Sequence, residues 1–131
     1  MAFHLKIGKL GEELACGYLK ESGYKLVERN WGKKFGEIDI IAINTSKILV
    51  FVEVKTIKVY AKSFGDNSAN LLISPEDNLT KAKLIKLKKI CEFYANLHPE
   101  LVKDAGWRID LVAVVVNEKK VKVRHYKNIG I

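Results

Sequence analysis

Two apolar runs constrain the fold more than anything else in the sequence: Val50-Phe51-Val52 with Val54 beyond it, and Leu111 to Val116 without a polar break. Runs this short and this rich in β-branched residues read as strands, and strands apolar on both sides need cover on both faces. Two helical patterns can supply it. Ile7, Leu10, Leu14 and Tyr18 recur at helical spacing and end at Ser22-Gly23, which predicts a helix over about residues 5–22. Leu84, Leu87, Cys91 and Tyr94 predict a second over about 80–97, stopped at His98-Pro99. Stretches 24–29, 35–43 and 48–57 read as strands between the helices, and 108–116 and 121–126 close the chain around a polar turn, Asn117 to Lys120. The order αβββαββ, with one helix for each face of a mixed sheet, predicts a three-layer α/β/α sandwich. Its 131 residues carry no internal repeat or linker, so they are expected to form one domain, 1–131.

No apolar run approaches the roughly 18 to 20 residues of a membrane span, and the N-terminus lacks the apolar stretch of a signal peptide. The expected location is the cytoplasm, with no membrane partner. Cys16 and Cys91 have no metal-ligand spacing and read as reduced helix residues. Lys and Arg number 23 against 15 Asp and Glu, a net charge of +8, which suits a nucleic-acid partner as well as it suits plain solubility.

Within the buried strand pattern stand charges that packing does not explain: Glu37 and Asp39 in Gly-Glu-Ile-Asp-Ile, and Glu53 and Lys55 in Val-Phe-Val-Glu-Val-Lys. Strand alternation puts Glu37, Asp39 and Ile41 on one face, and Phe51, Glu53 and Lys55 on one face of the next strand. A hairpin that sets Asp39 opposite Glu53 also sets Ile41 opposite Phe51 and Glu37 opposite Lys55. Close carboxylates repel unless a proton or cation lies between them. Oxygen ligands of this kind suit Mg²⁺ or Mn²⁺, and a neighbouring Lys can orient or deprotonate an attacking water. The competing interpretation is a structural salt-bridge cluster in which Lys55 neutralises Glu53 or Glu37.

The motifs Gly8-x-x-Gly11-Glu12-x-x-Ala15, Tyr18-Leu19, Gly23-Tyr24, Glu28-Arg29-Asn30, Gly36-Glu37-Ile38-Asp39-Ile40-Ile41-Ala42, Val50-Phe51-Val52-Glu53-Val54-Lys55 and Arg108-x-Asp110, in this order, closely resemble the YraN family. That resemblance implies a restriction-endonuclease-like fold, similar to archaeal Holliday-junction resolvases, and a metal-dependent nuclease acting on nucleic acid, most readily DNA. It implies Asp39 and Glu53 as ligands of Mg²⁺ or Mn²⁺, Lys55 as the residue acting on the nucleophilic water, and Glu12 as an upstream acid. At about 100° per residue Glu12 falls beside Gly8 and Leu19 at the edge of the apolar arc, while Glu13 falls among Lys6, Lys9 and Lys20. Only Glu12 is then expected to face the sheet. A homodimer is expected by analogy with enzymes of this fold. The alternatives are a non-catalytic nucleic-acid-binding or assembly module that retains the fold, and a protein-interaction subunit with structural carboxylates.

The sequence departs from the family pattern in three places. Lys55 to Lys83 is several residues longer, so the 58–80 loop reads as a lid or as plain surface. Arg-Phe-Asp becomes Arg108-Ile109-Asp110, and the C-terminus keeps His125 without the usual Ala-Phe ending. His125 could touch a phosphate, although a surface strand-end residue is its expected role. Lys81, Lys83, Lys86, Lys88 and Lys89 form a basic ridge on the second helix, from which Lys83, Lys86 and Lys89 are expected to hold phosphates. Trp31 and Trp107 could stack on unpaired bases, although core or rim packing is the expected role of both.

Overall fold

A computed structural model describes residues 2–58, 79–104, 106–117 and 120–130. Helix α1 spans Ala2–Glu21, strands β1, β2 and β3 span Lys25–Lys33, Gly36–Ile43 and Leu49–Lys58, and helix α2 spans Lys81–Leu97. A 3₁₀ turn, Pro99–Leu101, then leads to β4, Trp107–Val116, and β5, Val121–Tyr126. Of the 58–80 loop, read as a lid or as plain surface, residues 59–78 lie outside the described residues. No helix among the described residues is long and apolar enough to cross a membrane.

The five strands form one mixed sheet in the order β1-β2-β3-β4-β5, antiparallel except for the parallel β3–β4 pair. The centre is β3, fully apolar at Val50, Phe51 and Val52, and β4, buried from Ile109 to Val115. Alternation divides their side chains between two clusters. Phe51 and Ile41 pack with Leu87, Ile90 and Tyr94 of α2; Val50, Val112 and Ala42 pack with Ala15 and Leu19 of α1. The helices thus cover opposite faces, as the apolar runs demanded.

Helix α1 meets the sheet through a stripe shifted from the expected one, in which Leu14 and Tyr18 still pack at the edge of the core and Leu10 does not. Leu10 is 45% exposed, and the buried face is Gly11, Ala15, Cys16 and Leu19. The reason is close approach. A Cβ at Gly11 would collide with the side chain of Thr56 on β3, so a glycine lets the helix settle directly onto the strand. Small residues win over large apolar ones wherever backbone approaches backbone. The neighbour of Gly11 is Glu12, which this approach carries to the sheet.

Strand β1 runs four residues past its expected end, through Asn30 to Lys33, and closes on β2 by a two-residue turn at Lys34-Phe35. Asn30 and Gly32 read as loop residues, but Asn30 stays in the strand with a left-handed φ of 51°, a conformation its short amide side chain tolerates. It lies between the pairs Arg29–Ile40 and Trp31–Ile38, opposite Asp39. Ile38 and Ile41, three residues apart, both join the α2 cluster, which strict alternation forbids. The twist therefore falls at Asp39.

Candidate functional site

Ile41 pairs with Phe51, the register the sequence predicts, and the β2–β3 ladder continues only as far as Ile40–Val52. Beyond it the strands splay. Instead of ladder pairing, the Val54 N–H donates to Asp39 Oδ2 at 2.8 Å. The Asp39 and Glu53 carboxyls are close enough to perturb each other's protonation. The expected Glu37–Lys55 partnership does not form, because the β2–β3 ladder has already ended at Ile40–Val52, three residues short of it on each strand. An open cleft of about 430 Å³ occupies the splay, lined by Gly8, Glu12, Asp39, Glu53, Val54, Lys55 and Thr56. All four residues expected at the active site thus border one cavity. Glu12 is half-buried there, whereas Glu13 is exposed and held by Arg29 at 2.7 Å; the same guanidinium stands 3.7 Å from Glu12.

The electrostatics of the cleft are unbalanced. Burial pushes the Asp39 carboxyl up, against the pull of the Val54 N–H, and the charges of Glu12 and Glu37 push the same way. Burial and the charge of Asp39 together raise Glu53 from 4.5 to about 8, with Lys83 offsetting only part of this. Among the described residues neither Lys55 nor Lys83 forms a salt bridge with these acids, so the structural salt-bridge interpretation has no cation at contact distance. Two half-buried carboxyls side by side hold a proton between them or accept a cation from outside. Two carboxylate oxygen donors fit a Mg²⁺ or Mn²⁺ ion, which takes one or two carboxylates and keeps water elsewhere. Among the described residues no group of three or more His, Cys, Asp or Glu side chains is placed to hold a metal ion, so a site here rests on the two carboxyls of Asp39 and Glu53.

A second arm of the cleft runs from Glu53 toward α2 and is lined by Lys83 and Lys86. The Thr80 Oγ1 accepts the Lys83 N–H at 3.2 Å, which fixes the first turn of α2 and with it the base of the Lys83 side chain. Lys89 is exposed and is not among the residues lining either arm. Trp31 and Trp107 pack rather than project: Trp31 stands edge-on to Tyr94 at 4.9 Å, and Trp107 to Phe51 at 5.3 Å. Cys16 and Cys91 are buried and unbonded.

His125 corrects the expectation of a surface residue. Its side chain is 5% exposed, with Nε2 2.7 Å from Asp110 Oδ2 and Nδ1 3.0 Å from the Tyr18 hydroxyl. Asp110 is fully buried on the α1 side and also accepts from Arg108 at 2.9 Å and from the Asn128 N–H at 2.9 Å. Burial alone would raise its carboxyl, but the hydrogen bonds of His125 and Arg108 outweigh it and hold it below the usual range. Arg108 donates further to the Tyr24 hydroxyl at 3.1 Å. The motif Arg108-x-Asp110 is thus the centre of a satisfied network; the signal for it was an acid inside an apolar strand with a basic residue two positions before it.

Residues 11–114 match the family described as Uncharacterised protein family UPF0102. The chain belongs to the UPF0102 family. This is the YraN family to which the motifs pointed. The UPF0102 protein of Fervidobacterium nodosum is 34% identical over 131 residues, 98% of this chain and 85% of that one. Those of Syntrophomonas wolfei and Campylobacter concisus are 36% identical over 123 residues and 41% over 111, covering 94% and 85% of this chain and 96% and 84% of their own. The UPF0102 match includes Glu12, Asp39, Glu53, Lys55, Lys83 and Asp110 and stops short of His125.

Proposed function

We propose that this UPF0102 protein is a metal-dependent nuclease of the restriction-endonuclease-like fold that hydrolyses phosphodiester bonds of nucleic acid, DNA foremost. The observation that carries the proposal is the acid pair. Asp39 and Glu53 meet where two strands splay, half-buried, with no cation among the described residues in a salt bridge with either. Packing gives no reason for two such groups side by side, since their mutual charge works against the folded chain.

Asp39 and Glu53 would hold Mg²⁺ or Mn²⁺. Bound there, the ion would polarise a phosphoryl oxygen and offset the charge that develops on it. Lys55, exposed beside the pair, orients the water that attacks phosphorus in line and places a positive charge near the growing negative one. Glu12 completes the acidic wall, and Arg29 limits where its carboxylate can swing. Lys83 and Lys86 hold the phosphates of the bound strand.

The test is a panel of labelled duplex, flap, four-way-junction and single-stranded substrates with Mn²⁺. The parent should cut at least one of them, and Glu53→Gln and Lys55→Met, folded by circular dichroism, should cut none. A parent inert on the whole panel, or variants as fast as the parent, would overturn the proposal and leave the binding module in its place.

A further inference from the structure

The second arm of the cleft has a feature that holding phosphates does not require. Its wall carries Phe35, the tip residue of the β1–β2 hairpin, 51% exposed, and its floor is apolar, formed by Leu79, Leu87 and Ile90. Gly36 stands close over that floor, where a Cβ would come within 3.4 Å of Ile90. Exposed aromatic rings at hairpin tips are costly to solubility and are usually free to move. This one is braced. Phe35 stands edge-to-face with Phe93 at 5.3 Å, Phe93 lies 6.2 Å from Trp31, and Trp31 is set against the buried Tyr94. A chain of rings leads from the core to the tip and holds the last one half open to solvent.

Charge surrounds that ring. Lys33 and Lys34 are exposed at the same hairpin tip, with Lys33 Nζ 5.4 Å from the Trp31 ring, and Lys83 and Lys86 line the arm. Two acids, Glu37 and Glu53, stand among them. A rigid ring, an apolar floor and several ammonium groups, continuous with Glu53, match a nucleotide part by part: ring to base face, ammonium to phosphate. A base in continuous duplex offers no free face.

We propose that Phe35 is a stacking site for an unpaired base, so that the favoured substrate carries unpaired nucleotides beside the scissile phosphate. This rests on the nuclease reading for the scissile phosphate, while the stacking site itself requires only that the protein binds nucleic acid. The test uses the full chain and fluorescence anisotropy in EDTA, with a single-stranded oligonucleotide and a blunt duplex of the same sequence as probes. Phe35→Ala should weaken single-strand binding about ten-fold, in the range of base–aromatic stacking, and leave duplex binding unchanged. Phe35→Trp should restore it and Phe35→Leu, apolar but unable to stack, should not. The slope of log affinity against log salt should stay that of the parent, because no charge is removed. With a 5-iodouracil-substituted strand, photo-crosslinking should label the peptide containing Phe35.

Equal single-strand affinity of parent and Phe35→Ala, or equal loss on both probes, overturns the stacking site whatever the cleavage panel shows. Selective loss from a protein that cuts nothing keeps the stacking site and removes the nuclease. A parent that binds neither probe overturns both.

Discussion

Glu53→Gln separates a carboxyl poised for a cation from one that merely sits in a polar cleft. Glu53 rises from 4.5 to about 8 because burial and the neighbouring Asp39 disfavour its charge. A folded state that holds a proton more tightly than the unfolded chain is fully favoured below pH 4.5, loses stability as pH rises toward 8, and is level above that. At about 1.4 kcal/mol per pH unit the ceiling is about 5 kcal/mol. The pair borders an open cleft, so water relaxes around it and the expected loss is smaller, about 1 to 2 kcal/mol. Gln imitates the protonated acid at every pH. Parent and Glu53→Gln should therefore melt together near pH 5, and the variant should melt about 5 °C higher near pH 8, at roughly 4 °C per kcal/mol for a chain this size. Mn²⁺ should reverse the order at pH 8. At a hundred times its dissociation constant it stabilises the parent by about 2.7 kcal/mol, and it has one carboxylate fewer to hold in the variant. The assay is thermal melting across pH with and without the ion. A difference between the two proteins that does not change from pH 5 to 8 refutes the electrostatic argument, and a parent indifferent to Mn²⁺ and Mg²⁺ refutes the metal.

The other predictions concern the surroundings of the pair. Lys83→Ala with Lys86→Ala should flatten the log–log salt slope of duplex binding by about 2, near 0.9 for each phosphate left without its ammonium partner; Lys89→Ala, outside the cleft, should leave it unchanged, and an equal effect would make the ridge a diffuse field. Gly11→Ala should cost about 1 to 3 kcal/mol in urea denaturation, the range of overpacking. Thr56 Cβ itself lies 2.9 Å from the added carbon, so rotating the hydroxyl does not relieve the clash, and a neutral substitution would show that α1 can lift from β3. Asp110→Asn should cost about 3 to 5 kcal/mol, because Arg108 and His125 lose the anion they were buried against. The folded Asp110 titrates below its unfolded value of 3.8, so its contribution is present above pH 3.8 and is lost as pH falls through the folded value. Melting curves from pH 2 to 6 should show the parent converging on the variant at the acid end.

Much of this was legible because the strongest signals are local. The apolar runs of β3 and β4 can only be interior strands, and the hairpin register follows from aligning Ile41 with Phe51. Glu12 was separable from Glu13 by helical angle alone. Other features depend on what lies across a gap, and sequence periodicity does not report that. The stripe of α1 that meets the sheet runs through Gly11 and Ala15 because β3 lies too close for Leu10, and the extension of β1 depends on Asn30 accepting a left-handed φ. His125 looked like a strand end because nothing in its neighbours says that Asp110, fifteen residues earlier, needs a donor. Phe35 looked like the start of a strand; only the turn places it at a tip.

The two acid sites of the sheet show why one of them is the candidate for chemistry. Asp110 is fully buried and the Asp39–Glu53 pair half-buried, and desolvation pushes each of them up. On β4 the chain answers with its own cation and donors, Arg108, His125 and the Asn128 N–H, and the carboxyl ends below its usual range. At the β2–β3 splay it supplies one backbone N–H to Asp39 and leaves both carboxyls raised. The network at Asp110 supplies its own cation, whereas among the described residues no cation makes a salt bridge to Asp39 or Glu53 beside Lys55 and Lys83, and this contrast is what supports the proposal that a metal ion completes the pair. The direction of the shift, rather than the presence of an acid in a strand, is what separates Asp110 from Asp39 and Glu53.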